Sequence, residues 1–360
     1  MNYRSSQLLA PTDLGPSGTK TIDINLKQVI SQLEIRFKTT KVLKYMTAPG
    51  PANISKVEIV DGSRPLYSAS GYEIQALGYY SRPGMLFEHG QHLNGSSEVD
   101  LYHLMFGRHL WDPELAFDPK KFDNPQLKIT WDEDVADTSN TTNECEVLAR
   151  IFDEKPVSPM GFLSAIESKA YTPGATGSYE ETKLSEDYPI RQILVRAHYD
   201  GYEPWYNLAE ARFDENGLQR IPFEYTSLED YYRMMKGHWP KITTPLQHFA
   251  TSGGHVFYVP QSEYWVNYQG QQQSGVVVPY ISAGAARGGK LTIVSASEIQ
   301  CDGLVTGYLP WSTFQFPMGL PNDIADWYNP KGKSPNLRLR AYTGATSADV
   351  QILLEQLHSY

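Results

Sequence analysis

Hydrophobic and polar positions along the chain keep a common period only over short stretches, and that period is near two. Residues 30–37, Ile-Ser-Gln-Leu-Glu-Ile-Arg-Phe, put apolar side chains at Ile30, Leu33 and Ile35 with polar residues between them, as a half-buried strand requires. The pattern returns 160 positions later, where Ile190, Ile193 and Val195 match the apolar sites, Gln192 matches Gln32 and Arg196 matches Arg36. The same features follow each copy. Strand-like residues 53–59 and 207–213 lead to Asp61-Gly62 and Asn216-Gly217, dipeptides that favour tight hairpins because both central residues take positive φ. Each hairpin then runs into a helix start, Ser70-Gly71-Tyr72-Glu73 or Thr226-Ser227-Leu228-Glu229, and both read as capping boxes. Late strands at residues 124–130 and 335–340 complete the parallel, with Leu127 and Leu337 at an offset of 210. Four features repeated in one order predict an internal duplication.

Taken in order, residues 1–18 hold Pro11, Gly15, Pro16 and Gly18 without a sustained period, and are expected to be an arm or irregular lead-in. Residues 21–26 alternate strictly and open the first sheet. Short strands are expected at 85–87, 99–106 and 126–131, an acidic loop at 132–143, and a closing strand at 144–152. Pro156 and Pro159 mark a boundary, and residues 162–171 open the second half as 21–26 opened the first. The second half spends 108 positions between Glu229 and Leu337 where the first spends 54 between Glu73 and Leu127. The surplus, about 237–335, is expected to be an elaborated loop insertion with strands near 254–259 and 274–281; Gln271-Gln272-Gln273 reads as a loop tip. Helical periods hold at 72–80 and 228–236, with a third helix expected at 348–357. Eight or so short antiparallel strands per half suit a two-sheet jelly roll. The expected fold is all-β: an arm at 1–18, then two tandem eight-stranded antiparallel jelly rolls at 19–155 and 156–360, with short interrupting helices.

Composition narrows the function. The 360 residues suffice for two domains with cores of their own. A formal net charge of −10 argues against a surface built to neutralise phosphates, so no direct nucleic-acid binding is expected. No apolar run has the length of a signal peptide core or a membrane span, and a soluble chain made in a cytosol is expected. Cys145 and Cys301 are the only cysteines, which excludes a disulfide framework; free buried thiols are expected.

No Gly-x-Ser-x-Gly elbow, phosphate-cradling Gly-Lys-Ser/Thr loop, His-Glu-x-x-His or Cys-x-x-Cys pair occurs, so no catalytic residue and no cofactor is expected. His89 and His92, three apart between glycines, form a candidate metal pair without an indicated third ligand; solvated or interface histidines are the plainer reading. Asp132, Asp134 and Asp137 offer oxygen ligands for calcium but lack the glycine and terminal glutamate of an EF-hand, and an acidic loop is the plainer reading. Tyr79, Tyr80, Tyr231, Tyr232, Trp265 and Tyr268 form a candidate sugar platform, set against core or interface packing. No metal site is expected.

The paired openings at 22–37 and 162–197, the paired hairpins and the paired capped helices together resemble the double jelly-roll major capsid proteins of the tectivirus and adenovirus lineage. The resemblance spans residues 19–360 and is one of architecture, without a signature motif. It implies a structural, non-enzymatic protein of the virion capsid, a homotrimer with pseudo-hexagonal outline that tiles an icosahedral shell. It further implies neighbouring trimers and minor capsid or vertex proteins as partners, an internal viral membrane reached through the arm at 1–18, and outward-standing long loops. The alternatives are a glycan-acting enzyme on tandem jelly rolls, of amidase type, and a glycan-binding viral surface protein.

Overall fold

The computed structural model describes residues 2–40, 48–81, 90–92, 97–136, 142–250, 253–272, 277–280, 288–295, 299–342 and 348–360. Strands of the first half are β1 (Tyr3–Asp13), β2 (Ser17–Asp23), β3 (Ile30–Thr40), β4 (Ile54–Asp61) and β5 (Arg64–Ala69). After helix α1 (Gly71–Ser81) come β6 (Gly90–His92), β7 (Ser97–Met105), β8 (Pro125–Asp132) and β9 (Thr142–Phe152). The second half begins with β10 (Gly161–Tyr171), β11 (Tyr179–Lys183), β12 (Ile190–His198), the one-turn helix α2 (Pro204–Asn207), β13 (Leu208–Glu215), β14 (Arg220–Tyr225) and α3 (Leu228–Met235). An excursion follows through β15 (Ile242–Ala250), β16 (Gly253–Tyr258), β17 (Tyr264–Gln272), β18 (Val277–Tyr280), β19 (Lys290–Ser295) and β20 (Ile299–Gly307). The chain returns with β21 (Thr313–Pro317), β22 (Asn336–Ala341) and β23 (Asp349–Ser359).

Sheet order makes the duplication explicit. The first half pairs its strands as β1-β9-β3-β7 and β2-β8-β4-β5; the second as β10-β23-β12-β21 and β11-β22-β13-β14. Each strand of one half has a counterpart in the same sheet position of the other, giving two eight-stranded jelly rolls. Even the turn before the hairpin is repeated, as residues Gly50–Asn53 and Pro204–Asn207, each carrying a proline and ending in a buried asparagine. The excursion from β15 to β20 has no counterpart of comparable size in the first half, although β6 pairs with β15 in parallel.

The structure departs from the sequence expectations at particular places. The arm expected at 1–18 is not found among the described residues: β1 pairs with β9 from Tyr3↔Phe152 to Asp13↔Glu144, and β2 with β8. Its apolar positions are few because β1 is an edge strand with one face against the core, so no period stood out. It follows that β10 corresponds to β1, not to residues 21–26. Residues 348–357 form no helix but β23, a central strand between β10 and β12. With Val350, Ile352 and Leu354 in one core cluster and Leu353 in another, both faces are apolar and the alternation is lost. In the first hairpin Asp61 pairs with Arg64, which leaves Gly62 and Ser63 central, and of these Gly62 alone has positive φ. In the second, Asn216 and Gly217 both do, at 49° and 65°. The excursion is also tighter than residues 237–335, since β21 lies back in the jelly roll.

The capping box of α1 forms as expected: the Ser70 amide donates to Glu73 Oε2 at 2.8 Å and the Glu73 amide to Ser70 Oγ at 3.4 Å. The second is half a box. Ser227 Oγ accepts from the Asp230 amide at 3.1 Å, while Glu229 pairs outward with Arg233 at 2.6 Å.

Both halves share a seam. A parallel bridge, Ile166↔Ser68, joins β10 to β5 and makes one continuous eight-stranded sheet across them. Helix α1 of the first half packs into the second, with Tyr79 inside the second core cluster. As a result β12 is covered on both faces. Ile193, Val195 and Ala197 enter the second core, whereas Leu194 joins the first core with Leu353, Phe162 and Ala165. The matched arginines show the difference. Arg36 on β3 keeps a side chain 39% exposed beside Glu146, but Arg196 is 5% exposed, its guanidinium 4.1 Å from the ring centre of Tyr72 on α1.

Burying that face requires its polar groups to satisfy one another. Arg191 pairs with Glu355 at 2.8 Å, donates from Nε to the Pro321 carbonyl at 3.0 Å, and reaches Ser81 Oγ on α1 at 3.2 Å. Gln192 donates to Glu355 at 2.6 Å and accepts from Gln315 at 2.5 Å; Trp239 Nε1 donates to Gln315 at 3.0 Å. Glu355→Ala strands the Arg191 charge and is expected to cost roughly 3–5 kcal/mol by chemical denaturation, while Arg191→Met with Glu355→Leu recovers most of that loss. Burial first, then the Glu167 charge, raises the Glu73 carboxyl from 4.5 to about 7. It stays protonated in the fold where the unfolded chain ionises, so its contribution is full below pH 4.5 and lost as pH rises to about 7. That slope amounts to about 3 kcal/mol at most, and urea midpoints measured across this range should show it flattened in Glu73→Gln.

Candidate functional site

The sequence candidates separate on inspection. Tyr79, Tyr231 and Tyr232 are buried in the second core and Tyr80 packs against it, so these four make core rather than a sugar platform. Trp265, on β17, is 79% exposed; the side chain of Tyr268 lies outside the described residues. His89 and Asp137 also lie outside them, and nothing is described of the His92 side chain. Asp132 Oδ1 accepts from the Asp134 amide at 3.1 Å, capping the turn Glu133–Val135. Among the described residues no three His, Cys, Asp or Glu side chains gather as a metal site would require. Cys145 is a free buried thiol, and burial pushes it up to about 12.

One constellation escaped the sequence. Where β12 ends beneath the excursion, His198 Nδ1 lies 3.4 Å from Ser312 Oγ and its Nε2 lies 3.3 Å from Asp200 Oδ1. This is the order of nucleophile, base and orienting acid in a catalytic triad. Ser312 even has positive φ, 59°, in a turn where Leu309 and Trp311 do too. Its surroundings are closed, however. Ser312 is 1% exposed, its amide donates to Ser262 Oγ at 3.2 Å, and the cavity beside His198 measures about 10 Å³, the room of one water. Lys290 at 3.2 Å and the Tyr258 hydroxyl at 3.1 Å hold Asp200, whose carboxyl falls to about 2 chiefly through its bond to His198. Burial lowers the His198 pKa. The cluster therefore ties β12, the 309–313 turn and the paired strands β16 and β19 together, and offers a substrate no access. No signal could have found it, since Ser312 is 114 positions from His198 and no motif links them.

Exposed apolar side chains gather on the second jelly roll. Tyr199 stacks on Tyr202 at 4.9 Å; Tyr202, Tyr206 and Tyr342 continue a ridge with ring centres 6.4 and 6.5 Å apart. Tyr202, Tyr206 and Tyr342 are each about two-fifths exposed. An open groove of about 400 Å³ runs beside the ridge, lined by Trp205, Tyr206, Ser227, Glu229, Arg340 and Tyr342. At the hairpin end Leu218 and Ile221 are also exposed, next to edge strand β14. Apolar side chains along a free sheet edge are unusual for a chain that stays alone.

No protein-family model matches the chain, and no curated protein does. Solved structures do. The major capsid protein P2 of bacteriophage PM2 is 8% identical, with 99% of this chain and 98% of that one covered and a TM-score of 0.57. The STIV major capsid protein is 12% identical over 99% and 96%, with a TM-score of 0.56. PBCV-1 VP54 is 11% identical over 99% and 93%, with a TM-score of 0.58. Coverage is nearly end to end in each direction, so the likeness includes both jelly rolls and their order. The chain thus has the double jelly-roll fold of these viral major capsid proteins.

Proposed function

We propose that this chain is a structural subunit of a viral capsid, self-associating as a homotrimer that tiles an icosahedral shell in the virion. The observation that carries the reading is the strand-for-strand duplication, with the two jelly rolls fixed side by side through one shared sheet. Three such subunits in a closed ring present six similar edges, which a hexagonal lattice needs, and rigidity across the seam keeps those edges in register. The tyrosine ridge and the β14 edge supply apolar area for contacts between copies. The excursion from β15 to β20 stands at one end only, as an outward projection would. Minor capsid or vertex proteins would meet the same lattice edges. With β1 and β2 paired into the sheets, residues 3–13 and 17–23 belong to the jelly roll and are not free to serve as an inner arm. No helix among the described residues is long and apolar enough to cross a membrane.

Native mass spectrometry should find a trimer near 122 kDa, three chains of 40.6 kDa. Its contacts are expected to bury well above ~2,000 Å²; a monodisperse monomer at micromolar concentration would overturn the reading. Tyr206→Glu with Tyr342→Glu should place charge on the ridge and shift the trimer toward monomer. The melting temperature of the separated chain should hold within a few degrees, because neither ring belongs to the core.

A further inference from the structure

At the hairpin end of the seam the two jelly rolls enclose a cavity of about 170 Å³ that the assembly reading does not use. Its apolar wall is aromatic. Phe162, the second residue of β10, is fully buried; Phe122 stands 6.0 Å from it and Tyr360 5.8 Å, centre to centre. Two cations line the cavity from the first half, Arg64 at the start of β5 and Lys121 before β8. Arg64 donates to the Tyr188 hydroxyl at 3.0 Å, and Lys121 Nζ stands 5.8 Å from the Tyr360 ring centre. Among the described residues neither has a carboxylate partner. The fourth component is His358 on β23, 4% exposed, stacked on Tyr188 at 3.8 Å and 5.4 Å from Phe162. Both of its ring nitrogens lack a hydrogen-bond partner.

That combination is costly without a ligand. A buried imidazole normally finds a partner for its N–H, and the His358 ring has none, while the exposed Arg64 and Lys121 side chains stand at the cavity without a paired carboxylate. No acidic residue lines the cavity; Asp187, next to Tyr188, is the acid whose charge His358 senses, against the opposing charge of Arg64. Burial and Arg64 together lower His358 to about 4, so the ring is neutral at pH 7 and has one N–H to give. A group that fits must be anionic at its head, accept a few hydrogen bonds, and carry an apolar body no larger than about one ring. Phosphate meets the charge but not the aromatic walls, against which its remaining oxygens would lose hydration.

We propose that this cavity is a binding site for a single carboxylate borne on an aromatic or compact apolar stem. Arg64 and Lys121 meet the carboxylate oxygens, His358 donates its N–H, and Phe122, Phe162 and Tyr360 hold the stem. Such a group comes either as a free small acid or as the terminal carboxylate of a peptide segment. The site stands whether or not the chain assembles as proposed above. Bound anion favours the imidazolium, so affinity should rise as pH falls from 7 toward the free His358 value.

Calorimetric titration of the full chain tests this with 3-phenylpropionate, a tripeptide ending in a free Phe carboxylate, the amides of both, and inorganic phosphate. The acids are expected to bind with Kd on the order of 1 mM, the amides and phosphate at least roughly tenfold more weakly. Arg64→Gln with Lys121→Gln should lower acid affinity by a similar factor. Between pH 7.0 and about 5.8 wild-type affinity should rise several-fold, and His358→Phe, which keeps the stack on Tyr188, should abolish that rise. Tighter binding of the peptide than of the free acid assigns the site to a peptide segment, and the reverse to a small metabolite; either upholds it. Amides or phosphate binding as well as acids, no heat with either acid to 10 mM, or an unchanged pH response in His358→Phe would overturn it.

Discussion

The rest of the structure depends on covering one sheet from both sides. In an isolated jelly roll each sheet has a core face and a solvent face, and the β3 sheet keeps to that pattern, with burial alternating along Glu34, Ile35, Arg36 and Phe37. The corresponding sheet of the second half cannot, because β5 extends it edge to edge and α1 lies across its outer face. All residues of β12 except His198 are buried. The outward arginine and glutamines inherited at these positions must then be satisfied inside the protein. Glu355 and Gln315 from neighbouring strands, and Ser81 and Tyr72 from the other jelly roll, do this. Such a network contributes little net stability relative to apolar packing, but it admits few alternative registers. It fixes the angle between the two jelly rolls in a way that an apolar contact alone would leave free to slide.

A fixed angle leaves loops free to grow at one end without disturbing the frame. The 309–313 turn, held by Ser262 and the His198 cluster, anchors the excursion to the top of β12. Three departures from ordinary backbone within four residues, at Leu309, Trp311 and Ser312, absorb the sharp return from β20 to β21. What looks like a triad is thus better understood as a joint: its serine is a hydrogen-bond post and its histidine, whose pKa burial lowers, bridges to Asp200.

Much of this architecture was legible from period, turns and caps, because those are local. The match between residues 30–37 and 190–197, the Asn216-Gly217 turn and the Ser70–Glu73 box each depend on neighbours within a few positions, and each is found where the pattern put it. The misreadings share one cause. Strand β1 at the edge and strand β23 at the centre are set by tertiary context, one with too few apolar residues to show a period and the other with too many. Residues 348–357 mimic a helix because Val350, Ile352, Leu353, Leu354 and Leu357 serve three apolar clusters on both faces of the strand. The His198 cluster and the cavity at His358 were out of reach for a different reason. Both are assembled from strands far apart in sequence, with no spacing rule to connect them.

Duplication also explains where such sites arise. Two copies of one fold begin with equivalent surfaces, and fusion buries one face of one copy while leaving its twin exposed. Positions that were interchangeable then come under opposite demands: Ser31 bonds a loop amide where Arg191 bridges the seam, and Arg150, on the surface beside Glu34, occupies the strand position that Glu355 fills inside. The seam is therefore where polar chemistry concentrates in this molecule. At its centre that chemistry is satisfied internally. At its hairpin end, where β5 runs on beyond its bridge to β10, Arg64, Lys121 and His358 face a space the protein does not fill, and the same constraint that holds the jelly rolls together leaves room for something else to bind.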